Sequence, residues 1–168
     1  MEKYNKEFLE LYDKYADVIF RHCYLRVYNR ELAQDLAQEV FLRIWRYETR
    51  GNTITNMRAF LYRTARNLII DEYKKQKKIL SLDRMEEERR TIKAPEEGSD
   101  ILKKIDAKNA AASLKNLEDR YREVITLRYI DELSVKEIAE ILSESENTVS
   151  VRIHRGLQRL KKMVSHYD

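Results

Sequence analysis

The stretch Leu133–Arg155, LSVKEIAEILSESENTVSVRIHR, decides the architecture of the C-terminal part of the chain. Ser134 and Glu137 have the S-x-x-E spacing of a capping box, in which each side chain satisfies a free backbone N–H at a helix start. Apolar residues follow this box with helical spacing, at Ile138, Ile141 and Leu142. Because they share one side of a helix, they predict a short helix with one buried face.

A second helix is predicted after the polar break Ser143–Asn147. Its apolar stripe recurs at intervals of three and four, at Val149, Ile153, Leu157 and Leu160. The spacing places its start near Glu146. Two short helices joined by a tight turn, the second rich in Arg, predict a helix-turn-helix whose second helix enters the DNA major groove. An ordinary helical hairpin with solvated charges is the alternative, and the capping box, spacing and one-sided basic face together favour DNA binding.

The composition indicates an all-α protein of one or two domains. Its 168 residues include only three Gly and one Pro, and its long periodic segments carry helix formers. Residues 1–80 have 16 Lys/Arg against 11 Asp/Glu, residues 81–100 have 4 against 7, and residues 101–168 have 13 against 11. Two basic blocks flanking an acidic one suggest two domains that face nucleic acid and a linker that duplex DNA would repel.

The sequence gives no sign of enzyme chemistry, a cofactor or a membrane segment. The three histidines, His22, His154 and His166, have no metal-ligand spacing with the single Cys23. There is no Gly-rich phosphate loop, and no apolar run approaches the roughly 20 residues that span a bilayer. We therefore expect a cytoplasmic protein that is not an enzyme and needs no cofactor, with Cys23 buried as a packing thiol.

The N-terminal half predicts three helices. A first stripe ends at Cys23, Asn29-Arg30 marks a break, and a second helix continues to about Tyr47. The second helix carries polar residues opposite its apolar stripe, at Asp35, Gln38 and Glu39. A metal pair of Asp35 and Glu39 is conceivable, but their Arg and Gln neighbours favour an interaction surface.

A third helix is predicted from about Asn56 to Lys78, after loop residues Arg50–Thr53. Its outward positions are strongly basic, with Arg58, Arg63, Arg66, Lys74, Lys75, Lys77 and Lys78. Tyr62 and Tyr73 lie among these cations. Aromatic rings among cations suit unstacked nucleic acid, whereas the alternative is a solvated helix face with two amphipathic tyrosines.

The remaining segments complete two all-helical domains. Residues 81–104 have the acidic, Pro- and Gly-containing composition of a flexible linker. A helix over Asp119–Tyr129 precedes the helix-turn-helix. The predicted divisions are therefore a first domain over 1–80, a linker over 81–104 and a second domain over 105–168.

Three segments in this order resemble bacterial extracytoplasmic-function (ECF) sigma factors, the smallest class of the sigma-70 family. They are Asp35–Trp45 (DLAQEVFLRIW), Phe60–Asp71 (FLYRTARNLIID) and Tyr121–Tyr129 (YREVITLRY), the last followed by the helix-turn-helix. The resemblance implies an alternative RNA polymerase sigma factor that opens DNA and initiates transcription without catalysing a reaction itself. Its implied partners are core RNA polymerase, promoter DNA and an anti-sigma factor, without insertion into a membrane.

The resemblance also implies roles for individual residues. Polymerase binding falls on Asp35, Gln38 and Glu39. Binding of the −10 promoter element falls on Arg66, Asn67, Lys74 and Lys75, with Asn67 reading an extruded base close to the loop Gly51–Thr55. The −35 element falls to the recognition helix, where the buried stripe directs Ser150, His154 and Arg155 towards bases and Arg152 and Arg159 towards phosphates.

Two departures from the family pattern fall in the turn, where Ser143 replaces a usual Gly and Glu144 a usual apolar residue. Ser150 and Val151 replace the more usual Lys or Arg and Ser in the recognition helix. Two other functions compete with the sigma factor. A stand-alone helix-turn-helix regulator would bind promoters tightly without polymerase, and a structural helical adaptor would bind neither DNA nor polymerase.

Overall fold

The computed structural model describes residues 2–83 and 108–165, and within these ranges the regular structure is entirely helical. The helices are α1 (Glu2–Val27), α2 (Arg30–Thr49), α3 (Met57–Asp83), α4 (Lys108–Asn116), α5 (Asp119–Ile125), α6 (Val135–Leu142) and α7 (Glu146–Ser165). A π-helical turn, Thr126–Ile130, continues α5. The expected all-α class is confirmed.

Helices α1, α2 and α3 pack on one another to form the first domain. Asn29, which lies in the predicted break between the first two helices, is the N-cap of α2. Its side-chain oxygen accepts a hydrogen bond from the Leu32 N–H at 3.1 Å. Edge-on aromatic contacts join α1 to α2, with ring centroids 5.0 Å apart for Phe8 and Trp45 and 4.9 Å apart for Tyr12 and Phe41. The α1–α2 pair is therefore fixed along much of its length.

Helices α4 to α7 form the second domain, in which α7 packs on α4, α5 and α6. Gly156 lies where α7 crosses α5. A Cβ at this position would lie 3.2 Å from the Ile125 side chain and 3.3 Å from Tyr121 Cβ. The absence of a side chain thus allows the two helices to approach closely.

The helix limits mostly match the sequence-based expectation. The third helix runs to Asp83 rather than ending at Lys78, and α7 begins at Glu146 as predicted. The expected helix over Asp119–Tyr129 is present, but its last part is π-helical. The region predicted as an acidic linker lies mostly outside the described residues, as does His166.

The two domains contact each other through α1 and α3 on one side and α5, the π-helical turn and α6 on the other. This contact corrects the expectation that all the third-helix cations point outward, because Arg58, Arg63 and Arg66 bond the second domain. Tyr62 is also not on a solvated face. It is 2% exposed and packs edge-on against His22.

Candidate polymerase and promoter interfaces

The polar face of α2 is open to solvent. Asp35 and Gln38 are exposed, and among the described residues no hydrogen bond or ion pair engages either side chain. Glu39 is half-buried and accepts a hydrogen bond from Arg43 at 3.2 Å. The α2 face also includes Leu42, which is 46% exposed. Leu42 follows Glu39 by three residues, Gln38 by four and Asp35 by seven, which places all four on one side of the helix. The α2 face, Asp35, Gln38, Glu39 and Leu42, therefore combines polar groups with an apolar side chain.

Sequence reasoning missed Leu42, although its position offered a signal. Leu42 stands outside the buried stripe of α2, whose members include Leu36, Val40 and Ile44. A leucine on the polar side of an amphipathic helix lies where folding alone does not require it. Such an apolar residue beside polar ones is suited to a protein partner.

The turn of the helix-turn-helix has two defined ends. Both bonds of the predicted capping box form: Glu137 N–H donates to Ser134 Oγ at 3.1 Å, and Ser134 N–H donates to Glu137 Oε1 at 3.2 Å. Ser143 ends α6 in the left-handed conformation, with φ 55° and ψ 43°. Bonds from Glu144 N–H to the Ala139 carbonyl and from Ser143 N–H to the Glu140 carbonyl close this end.

The left-handed residue explains why the family pattern has Gly at this point. A residue with a Cβ is strained in that conformation, whereas Gly is not. The start of α7 is satisfied differently, by Ser145 Oγ accepting a bond from Thr148 N–H at 3.1 Å. Ser143 and Ser145 thus lie at the two ends of the turn. Of these two serines, only Ser143 has the left-handed backbone conformation, in which a residue with a Cβ is strained.

The recognition helix α7 separates its predicted DNA contacts into two groups. Val149 and Ile153 are buried, whereas Ser150, His154 and Arg155 are exposed. Arg152 and Arg159 each bond a carboxylate of the same domain, at 2.7 Å to Glu144 and 3.1 Å to Glu118. Each guanidinium retains further N–H donors, so these pairs orient the two arginines without using all of their hydrogen-bonding capacity.

The predicted −10 residues of α3 also differ in their surroundings. Asn67, Lys74 and Lys75 are exposed. Arg66 instead donates from Nε to Glu123 Oε2 of the second domain at 3.1 Å. Tyr73 is half-buried, and its hydroxyl donates to the Arg26 carbonyl. Neither tyrosine of α3 is therefore presented in this structure as a free ring for stacking on bases.

A cavity of about 610 Å³, whose charged lining residues are mainly acidic, lies between the loop before α3 and the N-terminal part of α1. Gly51, with φ +88°, allows the loop to turn there. The charged residues that line the cavity are three carboxylates, Glu7, Glu10 and Glu48, and one cation, Lys14. Burial, together with the charge of Glu7, raises the pKa of Glu48 above its ordinary value. Carboxylates outnumber the single lysine in this lining, which disfavours binding of a phosphate, and Asn67 is not among the lining residues.

Buried polar and charged side chains join the two domains, and sequence reasoning missed them. His22 Nδ1 lies 2.9 Å from Asp131 Oδ2, and both side chains are at most 1% exposed. Arg26 donates to Glu123 Oε2 at 2.6 Å and to Asp119 Oδ2 at 3.2 Å. The available signal was the continuation of the α1 stripe, where the polar residues His22 and Arg26 occupy apolar-face spacing after Ile19.

Cys23 is fully buried, as expected for a packing thiol, and burial raises its pKa to about 12. Residues 2–83 and 108–165 contain no cluster of three or more His, Cys, Asp and Glu suited to holding a metal ion. No helix in these ranges is long and apolar enough to cross a membrane.

Comparison with known families matches both domains. The family described as Sigma-70 region 2 matches residues 11–79, and Sigma-70, region 4 matches residues 109–160. The ECF RNA polymerase sigma factor SigW of Bacillus subtilis (strain 168) is 36% identical over 94% of this chain and 88% of that protein. The ECF RNA polymerase sigma factor BldN of Streptomyces coelicolor is 30% identical over 94% of this chain and 60% of that protein.

Solved structures share the fold at lower identity. The sigma factor RpoE from Bartonella quintana, solved with the anti-sigma factor NepR, has a TM-score of 0.74 at 20% identity, covering 95% of this chain and 98% of that one. CnrH, solved with the cytosolic domain of CnrY, has a TM-score of 0.72 at 21% identity, covering 98% and 91%. The two regions, their order and the identity to SigW agree with the resemblance found in the sequence. The chain belongs to the ECF sigma factors of the sigma-70 family, alternative sigma factors that direct promoter recognition by RNA polymerase.

Proposed function

We propose that this sigma factor divides its work between the two helical domains. Residues 1–80 bind core polymerase and open the −10 element, residues 105–168 bind the −35 element, and residues 81–104 connect them. The observation that carries this division is the presence of two separate exposed surfaces, the α2 face and the outer side of α7. The polymerase supplies the chemistry of RNA synthesis, and this chain catalyses no step.

The polymerase contact is assigned to the α2 face. Asp35 and Gln38 offer exposed polar groups, and Leu42 offers apolar surface beside them. Glu39 is held by Arg43 and lies 3.9 Å from Arg46, so this carboxylate is oriented before a partner arrives. A surface that mixes an apolar contact with oriented polar groups suits a specific protein interface.

Promoter opening is assigned to α3. Asn67 offers an amide that can both donate and accept hydrogen bonds, as reading a base edge requires. Lys74 and Lys75 lie further along the same helix and are exposed, where cations can track the phosphates of a separated strand. Unstacking a base costs a few kcal/mol, which contacts of this kind offset.

The −35 contact is assigned to α7. Ser150, His154 and Arg155 are exposed beside the buried stripe and read base edges in this proposal. Arg152 and Arg159, which are oriented by carboxylates of their own domain, contact phosphates.

An anti-sigma factor is the further partner we propose. The RpoE and CnrH structures similar to this chain were each solved with a second protein, named as an anti-sigma factor in the case of RpoE. Such a partner would control when this chain reaches polymerase in the cytoplasm.

Reconstitution tests the proposed function directly. Core polymerase from the source bacterium is combined with the purified chain, and transcript starts are mapped on genomic DNA. We expect a small set of starts that share −10 and −35 sequences and that disappear without the chain. Tight binding to promoters in the absence of polymerase, with no new starts in its presence, would favour a stand-alone regulator.

A further inference from the structure

Val151 is an exposed apolar residue of the recognition helix α7. We propose that it is a specificity-determining residue, which recognises thymine by packing against the 5-methyl group of that base in the major groove of the −35 element. This inference rests on the proposed role of α7 in −35 binding. It adds an apolar contact to the polar and ionic contacts assigned to α7 above.

The position of Val151 on α7 carries the inference. An α-helix has 3.6 residues per turn, so Val151 lies about 200° round the helix from Val149. Val149 is fully buried in the second domain. Val151 is therefore opposite the buried stripe, and it lies between His154 and Arg155, the exposed residues three and four positions further on. When α7 enters the major groove with its buried stripe towards the protein, Val151 points most directly at the bases.

Folding does not account for an apolar residue at this point. Val151 is 39% exposed, and it belongs neither to the hydrophobic core nor to the partly buried residues that pack against the core. Valine is also a poorer helix former than arginine or glutamine, which are frequent in α7. Single exposed apolar residues are common on protein surfaces, so exposure alone is no argument. What gives this side chain a ligand is its place among the residues that face bases.

Thymine is the base whose major-groove edge matches a valine. Its C5-methyl group is apolar, whereas the edges of guanine, adenine and cytosine are recognised through hydrogen-bond donors and acceptors. Valine offers no hydrogen bond, so against a polar edge it would displace water without replacing the lost bonds. Against the thymine methyl group it buries apolar surface on both sides of the contact. One side-chain rotamer of valine dominates in a helix, so little freedom is lost on binding.

The surroundings of Val151 favour duplex DNA as the ligand. Val151 lines a cavity of about 310 Å³ between the start of α5 and α7. The charged residues of the cavity lining are all arginines, namely Arg120, Arg152 and Arg155. Such a cationic surface attracts the phosphate strand that forms the wall of a groove. The apolar side chain is thus presented beside charges that position the helix on DNA.

The spacing of Val151 and Arg155 predicts where the thymine lies. Residues four apart in a helix have Cβ atoms about 5–6 Å apart, and successive bases of a DNA strand are about 3.4 Å apart along the axis. The two side chains therefore reach neighbouring base pairs. An arginine in the major groove bonds O6 and N7 of guanine in its commonest specific contact. The expected −35 sequence thus contains a thymine in the base pair next to a G·C pair.

Selection from a DNA library tests this preference. Holoenzyme is assembled from core polymerase and the full-length chain and is allowed to bind duplexes that have a fixed −10 element and a randomised −35 region. The bound duplexes are then sequenced. We expect the wild type to enrich thymine at one −35 position, beside an enriched G·C pair. Val151→Ala should lose the thymine enrichment and keep that of the G·C pair, because Arg155 is unchanged.

Two further variants control for the substitution. Val151→Thr keeps one methyl group and should retain part of the thymine enrichment. Gln158→Ala alters an exposed residue two turns further along α7, beyond the N-terminal residues that contact base edges, and should leave every preference unchanged. Circular dichroism and capture of core polymerase verify that each variant is folded and assembles.

Deoxyuridine isolates the methyl group from the DNA side, because it pairs as thymidine does but lacks the 5-methyl group. In the selected duplex, replacing the preferred thymidine should weaken binding by wild-type holoenzyme about fourfold, which corresponds to one buried methyl group. Holoenzyme that contains Val151→Ala should bind the two duplexes equally. Deoxyuridine in place of a thymidine outside both promoter elements should have no effect. The wild-type comparison needs no variant of the protein.

The outcomes separate this inference from the proposed function. The role of Val151 would be overturned if thymine were not enriched beside the G·C pair, if its enrichment survived Val151→Ala, or if wild-type holoenzyme bound the thymidine and deoxyuridine duplexes equally. The −35 assignment of α7 would still stand in each case if Arg155→Ala removed the preference for the G·C pair. A wild-type holoenzyme without any −35 preference would overturn both.

Discussion

Glu144 accepts a hydrogen bond from Arg152 over 2.7 Å and thereby joins the turn of the helix-turn-helix to the recognition helix. The side chains are 30% and 22% exposed, so the pair is partly shielded from solvent. An ion pair here occupies the place that an apolar contact takes in the family pattern. It also holds Arg152 at the flank of α7, while His154 and Arg155 remain exposed.

The exposed Arg155 and the paired Arg159 should affect promoter binding differently. Arg155→Ala should cost about 1–3 kcal/mol on the preferred −35 sequence, because a base contact is lost. Arg159→Ala should weaken matched and scrambled promoters alike and reduce the salt slope by about one, as loss of a phosphate contact does. Holoenzyme binding to both promoters across a salt series provides the measurement. Equal weakening by Arg155→Ala together with loss of discrimination by Arg159→Ala would reverse the roles.

The α2 face should be required for holoenzyme assembly. Asp35→Arg combined with Glu39→Arg should abolish capture of core polymerase, and Leu42→Ser should weaken it, because the charge pattern and the apolar contact of the surface are removed. Melting should change little, since these side chains do not lie in the core. Asp17→Arg is the matched control, because it makes the same kind of charge reversal at an exposed position on α1, away from the α2 face. Capture at the wild-type level by the double variant would show that polymerase binds elsewhere.

Asn67 should contribute to opening rather than to holoenzyme assembly. Asn67→Ala removes the amide but keeps a good helix former, so α3 should remain intact. We expect reduced permanganate reactivity of the −10 region on duplex promoters and a weaker preference at one −10 position. A premelted promoter should partly restore transcription. Ordinary opening with unchanged preference would mean that another residue reads the base.

Ser143→Gly should stabilise the protein by about 1 kcal/mol, because a glycine adopts the left-handed conformation without the strain of a Cβ. Ser145→Ala is the opposing control. It removes the oxygen that caps α7 and should cost about 1 kcal/mol. Urea unfolding of the three chains measures both effects. A loss of stability in Ser143→Gly would show that the serine hydroxyl has a stabilising role that its contacts do not reveal.

Asp119 should make stability depend on pH in the acidic range. Burial alone would raise its pKa, but the guanidinium groups of Arg26 and Arg122 lower it below the ordinary value. Since the folded-state pKa is the lower one, Asp119 stabilises the fold above the ordinary pKa of about 3.9, and this contribution is lost as pH falls through the folded value.

Urea unfolding between pH 6 and pH 3 tests this dependence. The free energy of unfolding of Asp119→Asn should fall less steeply with decreasing pH than that of the wild type. Asp17→Asn should follow the wild-type curve, because Asp17 is exposed on α1 and forms no ion pair with the other described residues. Identical slopes for Asp119→Asn and the wild type would exclude the proposed contribution.

Local sequence patterns predicted the helices and the helix-turn-helix, because these elements are determined by residues that are close to one another in the sequence. The S-x-x-E spacing identified the start of α6, and the stripe from Val149 identified α7. Tyr62 could not be placed in this way. It lies among cations in the sequence, yet it is buried, because residues of the second domain cover that side of α3.

The other contacts that the sequence did not predict join residues that are far apart in the chain. The bond between Arg66 and Glu123 joins residues 57 positions apart, and that between His22 and Asp131 joins residues 109 apart. Helical periodicity places a residue on a side of its own helix and carries no information about which distant helix meets it. Leu42 was a different case, since its position opposite the buried stripe was visible in the sequence.

The backbone carbonyls that receive Arg58 and Arg63 have an evolutionary consequence. Every residue has a carbonyl, so a point mutation at Asp131 or Glu140 leaves the acceptor atom in place. Drift in the second domain can remove the carboxylate contacts one at a time, but it cannot erase these two. They are lost by mutating the arginines themselves, which lie on α3, the helix that the proposed function assigns to promoter opening. Selection to keep this helix basic would then preserve, as a by-product, the donors that join the two domains.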